Sequence, residues 1–214
     1  LPLWILLIGS IVLYMIAHAV QQNDSRHIRT LAELNAVTYG DNMIADLYAG
    51  ISITDTLEQL LISADGRIDK FDTIADRMMA DYVQSIQLAP GGVVTDIYST
   101  EGSEAGKIDL IHDKDRGEIV NYGIDHDLLV IHGPFELKQG GYGIAIRNPV
   151  FLQDENGNSY FWGLTIVIIK APEIFRDSVD SLSGFGYQYR LSKTLSPLTD
   201  EYTVVDQSEE TLMD

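Results

Sequence analysis

The sequence predicts an α+β protein that begins with an apolar, membrane-spanning helix. Three observations lead to this prediction. Residues 1–22 carry no charge, apolar residues recur at helical spacing between about 28 and 86, and three runs of strand-forming residues separated by turn residues lie between 128 and 169. Helices that precede an antiparallel meander are typical of an α+β unit rather than an alternating βαβ one.

The composition excludes several classes of function. The chain has 214 residues, with 14 Lys plus Arg against 32 Asp plus Glu, and a net charge of −18. Such an acidic chain lacks the clustered cations that bind nucleic acid or anionic lipid. It has no Cys, so disulfides, zinc–thiolate sites and Fe–S clusters are excluded.

Residues 1–20 form the predicted membrane span. As a helix they would extend roughly 30 Å, the thickness of the hydrocarbon layer. Two alternatives remain: a cleavable signal peptide, for which Ala17-His18-Ala19 has the A-x-A form, and a buried core helix. No cluster of Lys and Arg follows the segment, which favours a translocated remainder.

Three further helices are predicted after this segment. The first continues over residues 21–50 with Gly40 as a candidate break, and the second covers 54–64 with Thr54 as its N-cap. The third covers 72–86, where Ile74, Met78 and Ile86 belong to a stripe at i, i+4 spacing. The sequence APGG at 89–92 would end this helix.

The remainder of the chain is predicted to be mainly strands. A first strand covers 93–98, and a short helix lies at 113–121. The meander consists of runs at 128–137, 142–151 and 160–169, with KQGG at 138–141 and Asn156-Gly157 as turn signals. A short helix at 170–179 and a strand at 185–191 follow, and the acidic tail from 199 would belong to an incomplete second sheet.

The motifs that could indicate catalysis or metal binding are incomplete. Gly141-Tyr142-Gly143 enters a strand instead of opening a helix, so it does not predict a phosphate loop. The calcium-loop-like run from Asp154 to Asn158 lacks its Gly and its final Glu. The histidines at 112, 126 and 132 do not have metal-ligand spacing. We therefore expect no cofactor, no metal and no catalytic residue, and predict that this segment is not an enzyme.

From about residue 71 onward the chain resembles a CHASE domain, the extracytoplasmic sensory module of membrane histidine kinases, diguanylate cyclases and nucleotide cyclases. The matching segments are IQLAPGGVVTDIY at 86–98, EGSE at 101–104, DR at 115–116, GPFELKQGGYG at 133–143, RNPVF at 147–151 and FWG at 161–163. Ser99 and the GKID segment at 106–109 depart from the family pattern, so the resemblance does not transfer a ligand identity.

The resemblance implies an architecture and a set of domains. A transmembrane helix at 1–20 would lead into a dimerising helix and a second helix at 21–66. A membrane-distal, PAS-like ligand-binding subdomain would cover 67–175, and a truncated membrane-proximal, PAS-like subdomain 176–214. The chain would form a homodimer in a bacterial inner membrane, with residues after about 21 in the periplasm or extracellular space.

The resemblance also implies a ligand site in the distal sheet. Related plant cytokinin receptors hold a small planar ligand there, through an Asp that corresponds here to Asp96. The strands beside it would supply the remaining predicted ligand-binding residues, which are Tyr98, Phe135, Leu137, Tyr142, Ile144 and Ile146. Alternation within the strands predicts that Val94, Asp96 and Tyr98 share one face.

The predicted function is therefore small-molecule sensing outside the cytoplasm. Ligand binding would be relayed to a cytoplasmic effector that lies outside this chain, and nucleic acid would not be a partner. The alternative is a periplasmic protein–protein interaction module without a small-molecule ligand, and a membrane-anchored hydrolase is a third, weaker possibility.

Overall fold

The computed structural model describes residues 2–99, 108–137, 142–171, 173–194 and 201–208. Side chains are not described at positions 2–9, 12, 24, 25 and 173. The helices are α1 (Pro2–Ser63), α2 (Phe71–Met78), α3 (Gly117–His126) and α4 (Arg176–Gly184), with a 3-10 turn at Glu173–Phe175 before α4. The strands are β1 (Val83–Pro90), β2 (Val93–Val94), β3 (Asp96–Tyr98), β4 (Ile108–Asp109), β5 (Val130–Glu136), β6 (Tyr142–Gln153), β7 (Ser159–Ala171), β8 (Arg190–Thr194) and β9 (Tyr202–Gln207).

The long helix α1 is continuous, so the expected break at Gly40 and the separate helix beginning at Thr54 are wrong. The hydroxyl of Thr54 donates a 2.7 Å hydrogen bond to the carbonyl oxygen of Ile51, three residues earlier in the same helix. A threonine satisfied in this way is tolerated inside a helix and does not need to act as a cap.

No helix in the described part of the chain combines the length and the apolar composition that a membrane crossing requires. The predicted span at residues 1–20 is therefore not supported there, and its side chains at positions 1–9 and 12 lie outside the description.

The main sheet has five antiparallel strands in the order β3-β1-β7-β6-β5. Three strands that are consecutive in sequence, β5, β6 and β7, pair antiparallel and confirm the predicted meander. The turn between β6 and β7 is held by Asp154, whose Oδ1 accepts the backbone N–H groups of Asn156 and Asn158 at 2.9 and 2.8 Å. The KQGG turn at 138–141 lies outside the described residues.

The third predicted helix is wrong in its second half. The helix ends at Met78, and residues 83–90 form β1, which pairs with β7 on one side and β3 on the other. Val83 and Ile86 are at most 1% exposed, since they enter the core on a strand and not on a helical stripe. Pairing with two strands satisfies the backbone of β1 and overrides the local helical pattern.

Two apolar layers cover the two faces of the sheet. The first lies between the sheet and α1, and includes Leu57, Leu61, Ile146 and Ile169. The second lies on the α3 side and is formed by a different set of residues: Ala89, Val94, Leu110, Val120, Ala145, Leu164, Ile166 and Ile168. The hairpin of β8 and β9 is a separate two-stranded sheet. The domain boundaries at 66/67 and 175/176 stay predictions.

Candidate ligand site

The predicted ligand-binding residues are divided between the two faces of the sheet, and their role in ligand binding stays a prediction. Ile144 and Ile146 belong to the layer that packs on α1. Phe135 and Leu137 pack into the layer on the α3 side. Tyr142 is 56% exposed.

The predicted shared face of Val94, Asp96 and Tyr98 is wrong. The strand is interrupted at Thr95, whose backbone N–H donates to the carbonyl oxygen of Leu88 at 3.1 Å. As a result Val94 packs on the α3 side, whereas Tyr98 packs against the α1 layer.

Asp96 and Tyr98 both have local partners in the structure. Asp96 is exposed, and its Oδ2 accepts a 2.7 Å hydrogen bond from the hydroxyl of Thr95. The hydroxyl of Tyr98 donates to Oδ1 of Asp76 at 2.5 Å. This hydrogen bond to a carboxylate raises the pKa of Tyr98 above its ordinary value. The structure places neither residue beside the large cavity described next.

A cavity of about 800 Å³ lies along β5, the edge strand of the sheet. Helix α3 forms one wall with Ile119 and Tyr122, and the hairpin of β8 and β9 forms the opposite wall with Leu191 and Val205. Leu47 of α1, Ile144 and Phe175 contribute apolar surface at one side. The volume lies within the range of about 300–1,000 Å³ that small-molecule sites occupy.

Ionisable side chains are placed asymmetrically around this cavity, named here the β5 cavity. Asp115, Glu118 and Asp125 lie along the α3 wall, while His132 of β5 and Lys193 of β8 lie on the other walls. Nζ of Lys193 approaches the carbonyl oxygen of Pro134 at 3.4 Å, which joins the hairpin to the edge strand. Among the described residues no group of three acidic or histidine side chains is arranged to hold a metal ion.

A buried cation lies behind the His132 wall. Arg147 of β6 is only 4% exposed, and its Nη1 lies 3.4 Å from Nδ1 of His132. Its Nε has no hydrogen-bond partner among the described residues. The guanidinium of Arg116, at the start of α3, lies 6.0 Å from the centre of the Phe135 ring, which itself stacks on His132.

Arg116 is held in place by Asp113. The Oδ1 of Asp113 accepts the backbone N–H groups of Asp115 and Arg116 at 3.0 and 2.9 Å. These backbone hydrogen bonds, with the charge of Arg116 and Arg147, hold the pKa of Asp113 below its ordinary value. Asp113, whose negative charge acts on Arg147, is thus ionised and engaged in the turn that opens α3.

Burial and the neighbouring cations lower the pKa values of His132 and Arg147. Desolvation lowers the pKa of His132 to about 4, with further contributions from Arg147, Lys193 and Arg116. Desolvation also lowers the pKa of Arg147 to about 10, assisted by Arg116 and opposed by Asp113. At neutral pH His132 is therefore uncharged while Arg147 keeps its charge.

We expect His132 to make the protein less stable in mild acid. An unfolded imidazole takes up its proton near pH 6.5, whereas folded His132 does so only near pH 4. The unfolded state binds more protons in this window, so stability falls as the pH drops through it. Thermal melts at pH 7 and pH 5 should show a smaller loss of Tm for His132→Asn than for the unsubstituted chain.

The matched control for this experiment is His27→Asn. His27 is exposed on α1, so its replacement should leave the pH dependence of Tm unchanged. An equal change of Tm with pH in both variants and in the unsubstituted chain would contradict the role of His132.

A second, smaller cavity of about 240 Å³ lies between α1 and α4. It is lined mainly by polar residues, including Asn42, Asp46 and Asp177. Burial, with the nearby Asp177, raises the pKa of Asp46 above its ordinary value. Its volume is below the usual range for small-molecule sites, so the β5 cavity is the better candidate.

Sequence reasoning missed His132, Arg147 and Lys193 as site residues. One signal was present: Arg147 is the only charged residue in the run YGIAIRNPVFL at 142–152. An arginine within a buried strand needs a partner, because charged residues are almost never fully buried alone. The positions of His132 and Lys193 beside it depend on chain segments that are distant in sequence.

Comparison with known proteins identifies no family. No protein-family model matches the chain, and no curated protein does. One solved structure, an extracellular ligand binding receptor from Desulfohalobium retbaense DSM5692, is similar with a TM-score of 0.46 and 18% sequence identity. The match covers 69% of this chain and 25% of that chain. The resemblance to CHASE domains thus rests on the sequence motifs and stays a prediction.

Proposed function

We propose that this chain is an extracytoplasmic small-molecule sensor module whose ligand occupies the β5 cavity. The observation that supports this most is the position of the cavity between α3 and the edge strand on one side and the β8–β9 hairpin on the other. A ligand there would contact both the main sheet and the hairpin at once.

A ligand in this position could change the arrangement of the two parts. Binding shifts a conformational equilibrium only when the ligand has different affinities for the two states. In the β5 cavity the two states would differ in the distance from Lys193 and Leu191 of the hairpin to β5. A ligand that contacts both walls would therefore bind the two states with different affinities. Leu47 also lines the cavity, so α1 would receive the change and relay it to an effector outside this chain.

The CHASE-like and PAS-like parts of the proposal have separate support. The described chain has a long N-terminal helix packed on an antiparallel sheet, followed by a hairpin that forms a separate two-stranded sheet. This is the order of elements that the sequence resemblance implies.

The test is to fill the cavity with a larger side chain. Ile131 lines the cavity and is 44% exposed, so Ile131→Trp should reduce the free volume without disturbing the core. A bound small molecule at a hundred times its Kd should stabilise the unsubstituted chain by about 2.7 kcal/mol, or a Tm rise of roughly 5–10 °C. A thermal-shift screen against small metabolites measures this rise, and Ile131→Trp should abolish it.

Ile62→Trp is the matched control. Ile62 is 45% exposed on α1 and does not line the cavity, so the same substitution there should leave the ligand-induced Tm rise intact. If no compound raises Tm, or if Ile131→Trp retains the whole rise, a ligand in the β5 cavity is ruled out.

The exposed side of α1 supports the second candidate, a protein-interaction module. Leu34, Val37, Ile44 and Tyr48 are 53–60% exposed. At 100° per residue they fall within a sector of roughly 80° on the helix. This apolar sector also supports the proposed homodimer through α1. Self-association in sedimentation experiments, together with a failure of the small-molecule screen, would favour this candidate.

A further inference from the structure

The described residues satisfy only part of the hydrogen-bonding capacity of the buried Arg147 side chain. Arg147 pairs with Val130 and Ile166 across the sheet and is 4% exposed. Among the described residues, the side-chain hydrogen bonding of Arg147 is limited to the 3.4 Å contact with the neutral ring of His132, and its Nε has no partner there. A buried cation is costly unless its donors are satisfied, so the site is suited to an acceptor.

The surroundings of Arg147 are electropositive although the chain carries a net charge of −18. The positive charges of Arg147, Lys193 and Arg116 all contribute to the lowered pKa of the half-buried His132. Asp113 is the carboxylate that acts on Arg147, and it is engaged by the backbone of Asp115 and Arg116. Three cations thus lie around His132, whereas the carboxylates that line the cavity, those of Asp115, Glu118 and Asp125, belong to its α3 wall. The His132 wall is therefore the part of the cavity where an anion would meet positive charge.

The chemistry of the donors favours a carboxylate. A guanidinium presents its N–H groups in a planar fork that matches the two oxygens of a carboxylate, and such charge-assisted pairs are about twice as strong as neutral ones. A carboxylate oxygen would also be a stronger acceptor for Arg147 than the imidazole nitrogen that now lies 3.4 Å away.

We propose that the ligand of the β5 cavity bears a carboxylate group, which binds at the His132 wall, accepts the unpaired N–H of Arg147 and lies beside Lys193. This inference rests on the proposed sensor function and adds the chemical class of the ligand. The carboxylate displaces the His132 ring from Arg147, so that the guanidinium becomes part of the cavity wall. The rest of the ligand extends toward the apolar surface of Tyr122 and Leu191.

The experiment compares acetate, succinate and benzoate with their neutral amides, acetamide, succinamide and benzamide, on the full chain. Thermal melts and titration calorimetry should show saturable stabilisation by at least one carboxylate and none by its amide. Arg147→Gln should abolish this binding, and Lys193→Gln should weaken it about tenfold, the cost of losing one charged partner. Arg67→Gln, at an exposed arginine remote from the cavity wall, should change nothing.

Lys193→Gln keeps the test decisive if Arg147→Gln does not fold, because Lys193 lies on the β8–β9 hairpin and not in the five-stranded main sheet. Equal binding of carboxylates and amides, unchanged carboxylate affinity in Lys193→Gln, or no binding of any of the three carboxylates would overturn the proposal.

The main alternative to a ligand carboxylate at Arg147 is a glutamate side chain of the chain itself. Glu101 and Glu104 occur at 100–107, outside the described residues. If Glu101→Gln or Glu104→Gln destabilises the chain as strongly as Arg147→Gln, and no added carboxylate binds, a glutamate of the chain is the acceptor and the proposal is wrong.

The outcomes also separate this inference from the sensor function. Stabilisation by neutral metabolites that Ile131→Trp abolishes, without any effect of carboxylates, leaves the sensor function standing and overturns the carboxylate. Carboxylate binding that is lost in Arg147→Gln but unchanged in Ile131→Trp would support the anion site at Arg147. It would also show that the ligand does not occupy the β5 cavity.

Discussion

Gly163→Ala should destabilise the protein by about 3 kcal/mol or more, because the position combines backbone strain with a steric clash. Gly163 has φ +157°, a region that L side chains rarely adopt. It pairs with Pro90 across β1 and β7, and an added Cβ would lie 2.3 Å from the carbonyl oxygen of Ala89. The nearest atoms, from Ala89 and Pro90, all belong to the backbone, so relief of the clash would require β1 and β7 to separate.

Urea unfolding at equilibrium measures this loss, and Gly40→Ala is the matched control. Gly40 is in α1, and an added Cβ there would have nothing within 4 Å. Removing a glycine from a helix interior should stabilise the chain by up to about 1 kcal/mol. The two substitutions should therefore change the free energy of unfolding in opposite directions, and a loss of equal size in both would contradict the interpretation of Gly163.

Leu57→Ala should cost about 2–5 kcal/mol, the range for removing a fully buried leucine side chain. Leu57 is 0% exposed in the layer between α1 and the sheet, where Ile146 and Ile169 are also 0% exposed. The deletion leaves a cavity between a helix and two strands of a sheet, which cannot collapse without moving α1. A guanidinium chloride titration should show a lower midpoint for this variant.

Ile62→Ala provides the comparison for Leu57→Ala. Ile62 lies on the same helix and is 45% exposed, so the same truncation removes less buried surface. We expect a change within about 1 kcal/mol, since alanine also has the higher helix propensity. If Leu57→Ala costs no more than Ile62→Ala, α1 does not pack on the sheet as the structure shows.

The predicted ligand residues illustrate what strand alternation could not establish. Alternation correctly indicates that Ile144 and Ile146 share a face, but not that α1 would cover that face. It also fails at Thr95, where a hydrogen bond to Leu88 interrupts the strand and reverses the facing of the residues that follow. Asp96 thus lies exposed at the sheet edge instead of in a pocket.

The sequence by itself determined the antiparallel meander, since β5, β6 and β7 are long runs of strand-forming residues bounded by turn residues whose preferences are local. Tertiary structure decided the conformation of residues 83–86, which the sequence predicts as the end of a helix but which belong to a strand paired with β3 and β7. It also decided the site. Arg147, His132 and Lys193 belong to three strands in two sheets, and only packing of the hairpin against the edge strand brings them together. Contacts between such distant segments depend on the whole set of packed surfaces, which no local pattern of residues encodes.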